Sequence, residues 1–224
     1  MTTTAKSVLQ RVATTLNDLS SVQWPIDELV RYLNDGQREI VMHRPDAKLV
    51  QAELSLVAGA GQTLPVGAIK LQDISHNTTG SQRTISQSTR TLLDAQDPTW
   101  RALPGQTEVW NYCYNPEKPL NFDVCPPAAT GAKVWASYSA YPAHITEPAA
   151  GQTFDAVTGN LDIADIYANA LAHYILFRAY TKDSEAGSPD VGRANLYNQV
   201  FMASLEYDKK GTIAIAPTTR GADK

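Results

Sequence analysis

The stretch that decides the fold is WPIDELVRYLNDGQREIV, residues 24–41. Pro25 suits the first position of a helix, and Asp27 and Glu28 suit the positive end of its dipole. Arg44-Pro45 ends the helix, because a residue before proline avoids helical backbone angles. The apolar residues recur every three or four positions, as on the buried face of an amphipathic helix: Ile26, Leu29, Leu33, Ile40 and Val41.

A second helix is predicted just before this stretch, over residues 5–19. Thr4 is a suitable cap, because its hydroxyl can accept a hydrogen bond from the first turn. The linker that follows is short, so the two helices should form an antiparallel hairpin. The predicted apolar stripe consists of Val8, Val12, Leu16 and Leu19.

The helical period returns after Gly159. Asp162 is the predicted cap of a third helix, which ends near Lys182. A fourth begins at Pro189, with Ser188 as its cap. It closes at Lys209-Lys210-Gly211, because cations and a glycine are typical of a helix end. This second pair of helices also carries an apolar stripe.

The region from Ala47 to about Asp155 consists of short strands instead. Residues 49–56 alternate in the manner of a strand with one buried face. Gly59-Ala60-Gly61-Gln62 is typical of a turn, and Thr89 to Leu93 of a helical turn. The pattern predicts an antiparallel sandwich or small barrel of about five to eight strands. Further runs rich in β-branched and aromatic residues cover 68–74, 107–112, 122–124 and 133–138.

Together these patterns predict an α+β fold: a bundle of about four helices from both chain ends, with an inserted antiparallel β-sandwich or barrel-like domain. Each helical pair alone would expose its apolar stripe, and packing the pairs together hides both. The predicted parts are an N-terminal helical hairpin (1–46), the β-domain (47–158), a C-terminal helical hairpin (159–210) and an extended C-terminal arm (211–224).

Composition and charge exclude several classes of protein. The chain has 224 residues, 43% of them hydrophobic, which is enough for a core and argues against disorder. No apolar run approaches the roughly 18 residues of a membrane span, and the N-terminus lacks an apolar signal core. We therefore expect a soluble chain with no membrane partner. With 19 Lys+Arg against 23 Asp+Glu, the net charge is −4, and no basic face for gripping nucleic acid is visible.

The two cysteines, Cys113 and Cys125, flank a predicted hairpin turn around residues 115–119. If Tyr114 pairs near Leu120, the cysteines face other residues and not each other. Two cysteines are also too few for a disulfide framework. We therefore expect two reduced, structural thiols.

Motifs for catalysis are absent: the sequence has neither a phosphate-binding GxxxxGK[ST] nor a GxSxG nucleophile elbow. Its four histidines are scattered, without zinc-site spacing, and His173 is expected to be packed or interfacial. Asp94 and Asp97 are the closest carboxylate pair, able in principle to serve as acid and base or to hold a hard cation. A turn that Asp97 begins with Pro98, with Asp94 capping or solvating its end, is favoured. We expect no catalytic, metal or cofactor site.

Aromatic residues crowd the β-region, and their role has three readings: packed core, protein interface, or a platform for a sugar or a nucleic-acid base. Core packing is the simplest. The aromatic residues are Trp100, Trp110, Trp135, Tyr112, Tyr114, Tyr138 and Tyr141.

The C-terminal tail has two interpretations, because the segment Thr212–Ala216 could add to a neighbouring sheet edge or be a frayed terminus.

Several stretches, taken in order and spacing, resemble the head-to-tail adaptor proteins of short-tailed and related tailed bacteriophages. The resemblance runs from about Val8 to Tyr207, and the order of the stretches carries more weight than any one of them. They are residues 24–41, RPDA at 44–47, LLDAQDPTW at 92–100, YNP at 114–116 with FDVCPP at 122–127, and YSAYP at 138–142.

The resemblance implies a structural virion protein at the head-tail junction, assembled in the host cytoplasm. Such adaptors form a ring, usually a dodecamer, between the portal protein and the tail nozzle or tail tube. Double-stranded DNA passes through the lumen during ejection without specific binding. Twelve copies with a net charge of −4 carry −48, and an acidic lumen would keep DNA from sticking, because cations hold phosphates.

The resemblance also implies where partners bind. A ring makes heterologous contacts that close by rotation, and Arg31, Arg38 and Glu39 are candidate inter-subunit residues. A C-terminal arm often reaches the portal in such adaptors. The candidate portal-binding residues are Thr212, Ile213, Ala214, Ile215, Ala216, Pro217 and Arg220.

The alternative function is a carbohydrate-binding or hydrolytic virion module that uses the aromatic-rich β-domain.

Overall fold

A computed structural model describes residues 3–182 and 189–215, apart from the side chains of Pro189 and residues 207–215. The described residues form two compact units, one before Pro45 and after Tyr141 and the other Pro45–Tyr141. The fold is α+β, as predicted. The helices are α1 (Ala5–Leu16), α2 (Ile26–His43), α3 (Arg90–Gln96), α4 (Ala168–Lys182) and α5 (Pro189–Ile215). The strands are β1 (Leu49–Ser55), β2 (Gly59–Thr63), β3 (Ala68–Asn77), β4 (Ser86–Gln87), β5 (Asn111–Tyr114), β6 (Asn121–Ala128) and β7 (Lys133–Ala140).

Helix α1 has the predicted cap but a different end. The Thr4 hydroxyl accepts a hydrogen bond from the Ser7 N–H at 3.2 Å, which confirms the cap. The helix ends at Leu16, because Asn17 adopts a left-handed conformation with φ 55°. The predicted extension to residue 19 is wrong, and Leu19 is exposed.

Helix α2 buries the stripe that the sequence predicts, from Ile26 to Val41. Pro25 lies one residue before the helix and not at its first position. The stop at Arg44-Pro45 is confirmed, because α2 ends at His43 and Arg44 leaves the helical region. Within its unit α4 packs against α1, α2 and α5.

Two buried polar residues on α2 hold the chain where it returns from the β unit. The Asn34 side chain donates to the carbonyl of Ile145 and accepts from its N–H, both at 2.9 Å. Gln37 Oε1 accepts from the N–H of Asp162 at 2.9 Å. Because buried amides need partners, these bonds specify which backbone segment lies against α2.

The start of α4 differs from the prediction. Asp162 does not cap a helix, because its Oδ2 accepts the N–H of Ala143 at 2.7 Å. A single 3₁₀ turn, Asp165–Tyr167, instead leads into α4 at Ala168. The predicted end at Lys182 and the predicted start of α5 at Pro189 are confirmed. The proposed cap Ser188 lies outside the described residues.

Helix α5 runs through Lys209-Lys210-Gly211 to Ile215. The predicted end at Gly211 and the predicted extended, strand-like segment from Thr212 are therefore wrong up to Ile215. A glycine inside a helix costs only about 1 kcal/mol relative to alanine, so it need not stop a helix that is otherwise supported. The remainder of the predicted arm, 216–224, lies outside the described residues.

The β unit contains two sheets with strand orders β1-β7-β3 and β2-β6-β5-β4. All pairs are antiparallel except the short β4–β5 pair, which is parallel. Both sheets contribute to one buried core, which gives the predicted sandwich-like unit. Its members include Leu54, Leu71, Ile74, Tyr112, Phe122, Val124 and Val134.

The predicted turn Gly59-Ala60-Gly61-Gln62 is wrong, because these residues begin strand β2. The chain turns just before them, and buried Gln62 closes that turn with its side chain. Gln62 Oε1 accepts the Val57 N–H at 2.8 Å, and Nε2 donates to the carbonyls of Val57 and Gly59 at 2.7 and 2.9 Å. The positive φ of Gly59, 117°, lets the chain reverse and continue at once as a strand.

The hairpin that carries the cysteines is shifted by two residues from the predicted register. Tyr114 pairs with Phe122, Cys113 with Asp123 and Cys125 with Asn111. Both thiols are free, and burial raises their pKa values. They lie at different levels of the ladder and do not face each other.

Gly36 on α2 lies where α2 packs closely against α4, so a substitution there tests this contact. A Cβ at this position would lie 2.6 Å from Leu171 Cδ1 and 2.7 Å from Tyr174 Cδ1. Overpacking of a core costs about 1–3 kcal/mol, which exceeds the gain of about 1 kcal/mol in helix propensity. We expect Gly36→Ala to lower the thermal unfolding midpoint, measured by circular dichroism.

Gly192→Ala is the matched control, because it makes the same change in α5 where a Cβ meets nothing within 4 Å. There only the propensity gain remains, so the midpoint should stay or rise. A Gly36→Ala protein as stable as the parent would contradict the close packing of α2 on α4.

Candidate partner-binding site

The acidic pair of the sequence does not form a reactive site, and Asp94 instead binds its neighbours. Its Oδ1 accepts hydrogen bonds from Trp100 Nε1 at 2.8 Å and Arg101 Nη1 at 3.0 Å. These bonds, that of Trp100 first, hold the pKa of Asp94 below its ordinary value. The Arg101 guanidinium carbon lies 4.1 Å from the centre of the Trp100 ring. Asp94 therefore stays ionised and orients both side chains.

Asp97 begins a turn, as predicted. Its Oδ1 accepts the N–H and the hydroxyl of Thr99 at 2.8 and 2.7 Å. Of the two roles expected for Asp94, capping is wrong, because its Oδ1 accepts from the Trp100 indole and the Arg101 guanidinium. Among the residues that the structure describes, no group of three His, Cys, Asp or Glu side chains is placed to hold a metal ion.

The tryptophans divide into core and surface. Trp100 is 1% exposed and packs with Leu93 and Cys113. Trp110 is 48% exposed and Trp135 38%. The Arg83 guanidinium lies 5.3 Å from the Trp110 ring centre. Trp100 is thus unavailable to a sugar, and core packing is wrong for Trp110.

His173 is packed, as expected. Its ring stacks on Tyr197 with centroids 5.9 Å apart. Burial and the nearby Arg11 lower its pKa, which favours the neutral ring. It lines a shallow groove between α1 and α4 with a volume of about 240 Å³.

Of the three candidate inter-subunit residues on α2, two have partners within the chain. Arg31 pairs with Asp27 and lies 3.4 Å from Glu147. Glu39 lies 3.2 Å from His43 Nε2. Arg38 is exposed and makes no ion pair among the described residues. It is the member of the three whose charge is available to a partner.

The portal-binding candidates lie at the C-terminal end. Residues 212–215 are helical, as the last turn of α5, and Ala216, Pro217 and Arg220 lie outside the described residues. Helix α5 has 27 residues. None of the described helices combines the length and apolar character that a membrane span requires.

A groove of about 640 Å³ lies on the outer face of the β2-β6-β5 sheet, beside α3. Its walls carry three cations, Arg90, Arg101 and Lys118, and one carboxylate, Asp123. Trp100 and Asp94 hold Arg101 in place there. Sequence reasoning missed this site, because the three cations lie far apart in the chain and form no basic run.

Asp94→Asn tests the bonds that anchor Trp100 and Arg101. Bonds to a charged acceptor are stronger than bonds to a neutral amide, so we expect a lower unfolding midpoint at pH 7. Because the pKa of Asp94 is lowered in the folded protein, its carboxylate stabilises the fold at pH values above the ordinary pKa of 3.8. This stabilisation is lost as the pH falls through the lowered pKa. The difference between variant and parent should therefore shrink below about pH 4, measured by thermal unfolding at several pH values.

Asp97→Asn serves as the control, since an amide oxygen can accept the same two bonds from Thr99. It should unfold close to the parent at every pH. An Asp94→Asn deficit that is equally large at pH 3 would rule out the carboxylate charge as its cause.

Comparison with known proteins shows a family match that extends over nearly the whole chain. No curated protein sequence matches it. The model of one family, the SU10 adaptor proteins, matches residues 3–220. This match covers both units and agrees with the resemblance carried by the motifs above. The chain therefore belongs to the SU10 adaptor protein family and is a bacteriophage head-to-tail adaptor, a structural virion protein.

Proposed function

We propose that copies of this chain form a ring of about twelve between the portal and the tail nozzle or tail tube, closed by rotation through heterologous contacts. The family match over residues 3–220 carries the proposal, because it spans the whole described architecture. The ring would assemble in the host cytoplasm and remain at the head-tail junction.

The proposed ring lines the channel through which double-stranded DNA leaves the head. A net charge of −4 per chain supports this role, because passing DNA must not be held. Phosphate binding depends on clustered cations, and the arginines of the groove are neutralised in part by Asp94 and Asp123. The work of the protein in this proposal is binding and symmetry matching, without catalysis.

Contacts between copies in the proposed ring use the exposed face of α2. Arg38 is the best-supported residue there, because Arg31 and Glu39 already have partners in their own chain. An exposed cation can select an acidic patch on the neighbour and reject a wrong one.

Contact with the portal is assigned to the end of α5 and the residues after it. Because residues 212–215 continue α5, this part of the contact is helical, and a rigid helix end costs less ordering entropy on binding than a free arm.

Electron microscopy and native mass spectrometry of the complex extracted gently from virions test the ring. We expect a ring with a central hole, stacked on a second ring, and a mass that gives the copy number. A compact particle without a hole would contradict the proposal.

The Arg38 assignment is tested by adding purified variants to portal rings. Arg38→Glu should lower the yield of complete rings more than Arg38→Gln, because only the former reverses the charge. Both should unfold like the parent, since Arg38 is exposed and makes no ion pair in the described part of the chain. Equal ring yields for parent and Arg38→Glu would remove Arg38 from the contact.

Two truncations test the portal contact. One removes 216–224 and leaves the described part of α5 intact; the other removes 212–224 and shortens it by about one turn. Both should fold, as measured by circular dichroism, and at least the longer deletion should abolish binding to purified portal. Portal binding by both truncations at parental affinity would overturn the assignment of this segment.

A further inference from the structure

The groove on the β unit has one cation, Arg101, that is held in position before any ligand arrives. Arg101 is stacked on Trp100 and bonded to Asp94, and its Nη2 lies 3.8 Å from Asp123. Arg90 lies 3.7 Å from Asp94, with 69% of its side chain exposed. Rigid placement of this kind lowers the entropy cost of binding an anion.

Lys118 also lines the groove, and it does so from an ordered turn. Asn115 holds this turn, because its carbonyl accepts the Lys118 N–H at 2.9 Å and its Oδ1 accepts the Glu117 N–H at 3.0 Å. The Lys118 ammonium makes no ion pair with any residue in the described part of the chain. Its charge is therefore available to a ligand.

Strand β2 forms the open edge of the same groove. The Leu64 N–H bonds to the Leu120 carbonyl on the β6 side, and backbone groups alternate in direction along a strand. The N–H and C=O groups of Gly61 and Thr63 are therefore turned away from β6, where β2 has no neighbouring strand. Such an edge can pair with an extended chain.

The charges favour a peptide over nucleic acid. Asp123 lines the groove beside Arg101 and would repel an unbroken row of phosphates. An extended peptide with acidic residues at every second position presents them on one face, with neutral residues between. Its backbone can also satisfy the edge of β2, which a phosphate chain cannot.

We propose that this groove binds an extended acidic segment of a partner protein, whose backbone adds to β2 and whose carboxylates pair with Lys118, Arg90 and Arg101. The groove lies within one unit of a single chain, so this inference stands independently of the ring.

The test uses the full-length protein and a synthetic probe, the blocked peptide acetyl-Thr-Glu-Thr-Glu-Thr-Glu-Thr-amide. Binding is followed by amide chemical shifts in nuclear magnetic resonance and by the titration curve. We expect saturable binding, with shifts at residues 61–63 and 113–123 and slower hydrogen exchange at the Gly61 and Thr63 amides. The glutamine counterpart of the peptide should bind at least about tenfold more weakly, because it keeps the backbone and loses the charges.

Two features of the proposal are tested separately. Lys118→Glu and Arg90→Glu should each weaken binding at least about tenfold, whereas Arg83→Glu, an equal charge reversal outside the groove, should leave it unchanged. A peptide N-methylated at alternate residues keeps its charges but cannot pair with β2, and it should also bind more weakly. Both groove cations are exposed, so the variants should retain the parent circular dichroism spectrum.

Several results would overturn the proposal. If binding does not saturate at about 1 mM peptide, the groove is not a specific binding site for acidic peptides. Equal binding of the glutamine peptide, or equal loss with Arg83→Glu, would show that the groove cations do not select the ligand. A short oligothymidylate that displaces the peptide at lower concentration would assign the groove to nucleic acid. Shifts of the same amides with protein concentration alone would assign it to a second copy of this chain.

Discussion

Burial of the apolar face of α2 against α4 is the constraint on which the helical unit depends. The two helices come from opposite ends of the chain, and Gly36 lets them approach until a single added carbon would touch Leu171 and Tyr174. Asn34 and Gln37 then bind the backbone that returns toward α4. The β unit lies between these two helices in the sequence and is therefore an insertion into the helical unit.

The LLDAQDPTW stretch, part of the resemblance to adaptor proteins, stabilises the β unit and orients a surface arginine. Trp100 fills a small core beside Leu93 and Cys113, and Asp94 binds its indole and the Arg101 guanidinium. A buried aromatic thus places an exposed cation at a defined point on the surface. This suits a protein whose role is to bind other proteins, because a pre-positioned charge gives specificity without a reactive group.

Helix and strand types were predictable wherever the hydrophobic period was strong, but several boundaries were not. α1 stops at Asn17 because the backbone there turns left-handed, which no side-chain period reveals. α5 passes Gly211 although the local sequence suggests an end. Gly59 begins a strand because Gln62 closes the preceding turn from within the strand. At Asn17 and at Gly59 a backbone conformation or a specific local bond outweighed a weak propensity.

The sequence by itself determined the helical chain ends with a strand-rich region between them, the two apolar stripes of the helices, and the family, because each depends on local periodicity or on the order of motifs. The tertiary structure alone decided which charges are available to partners. Arg31 and Glu39 form ion pairs within their own chain, and Arg38 forms none with the residues that the structure describes. Arg90, Arg101 and Lys118 meet around one groove, because the folding of the sheet, and not their spacing along the chain, brings them together.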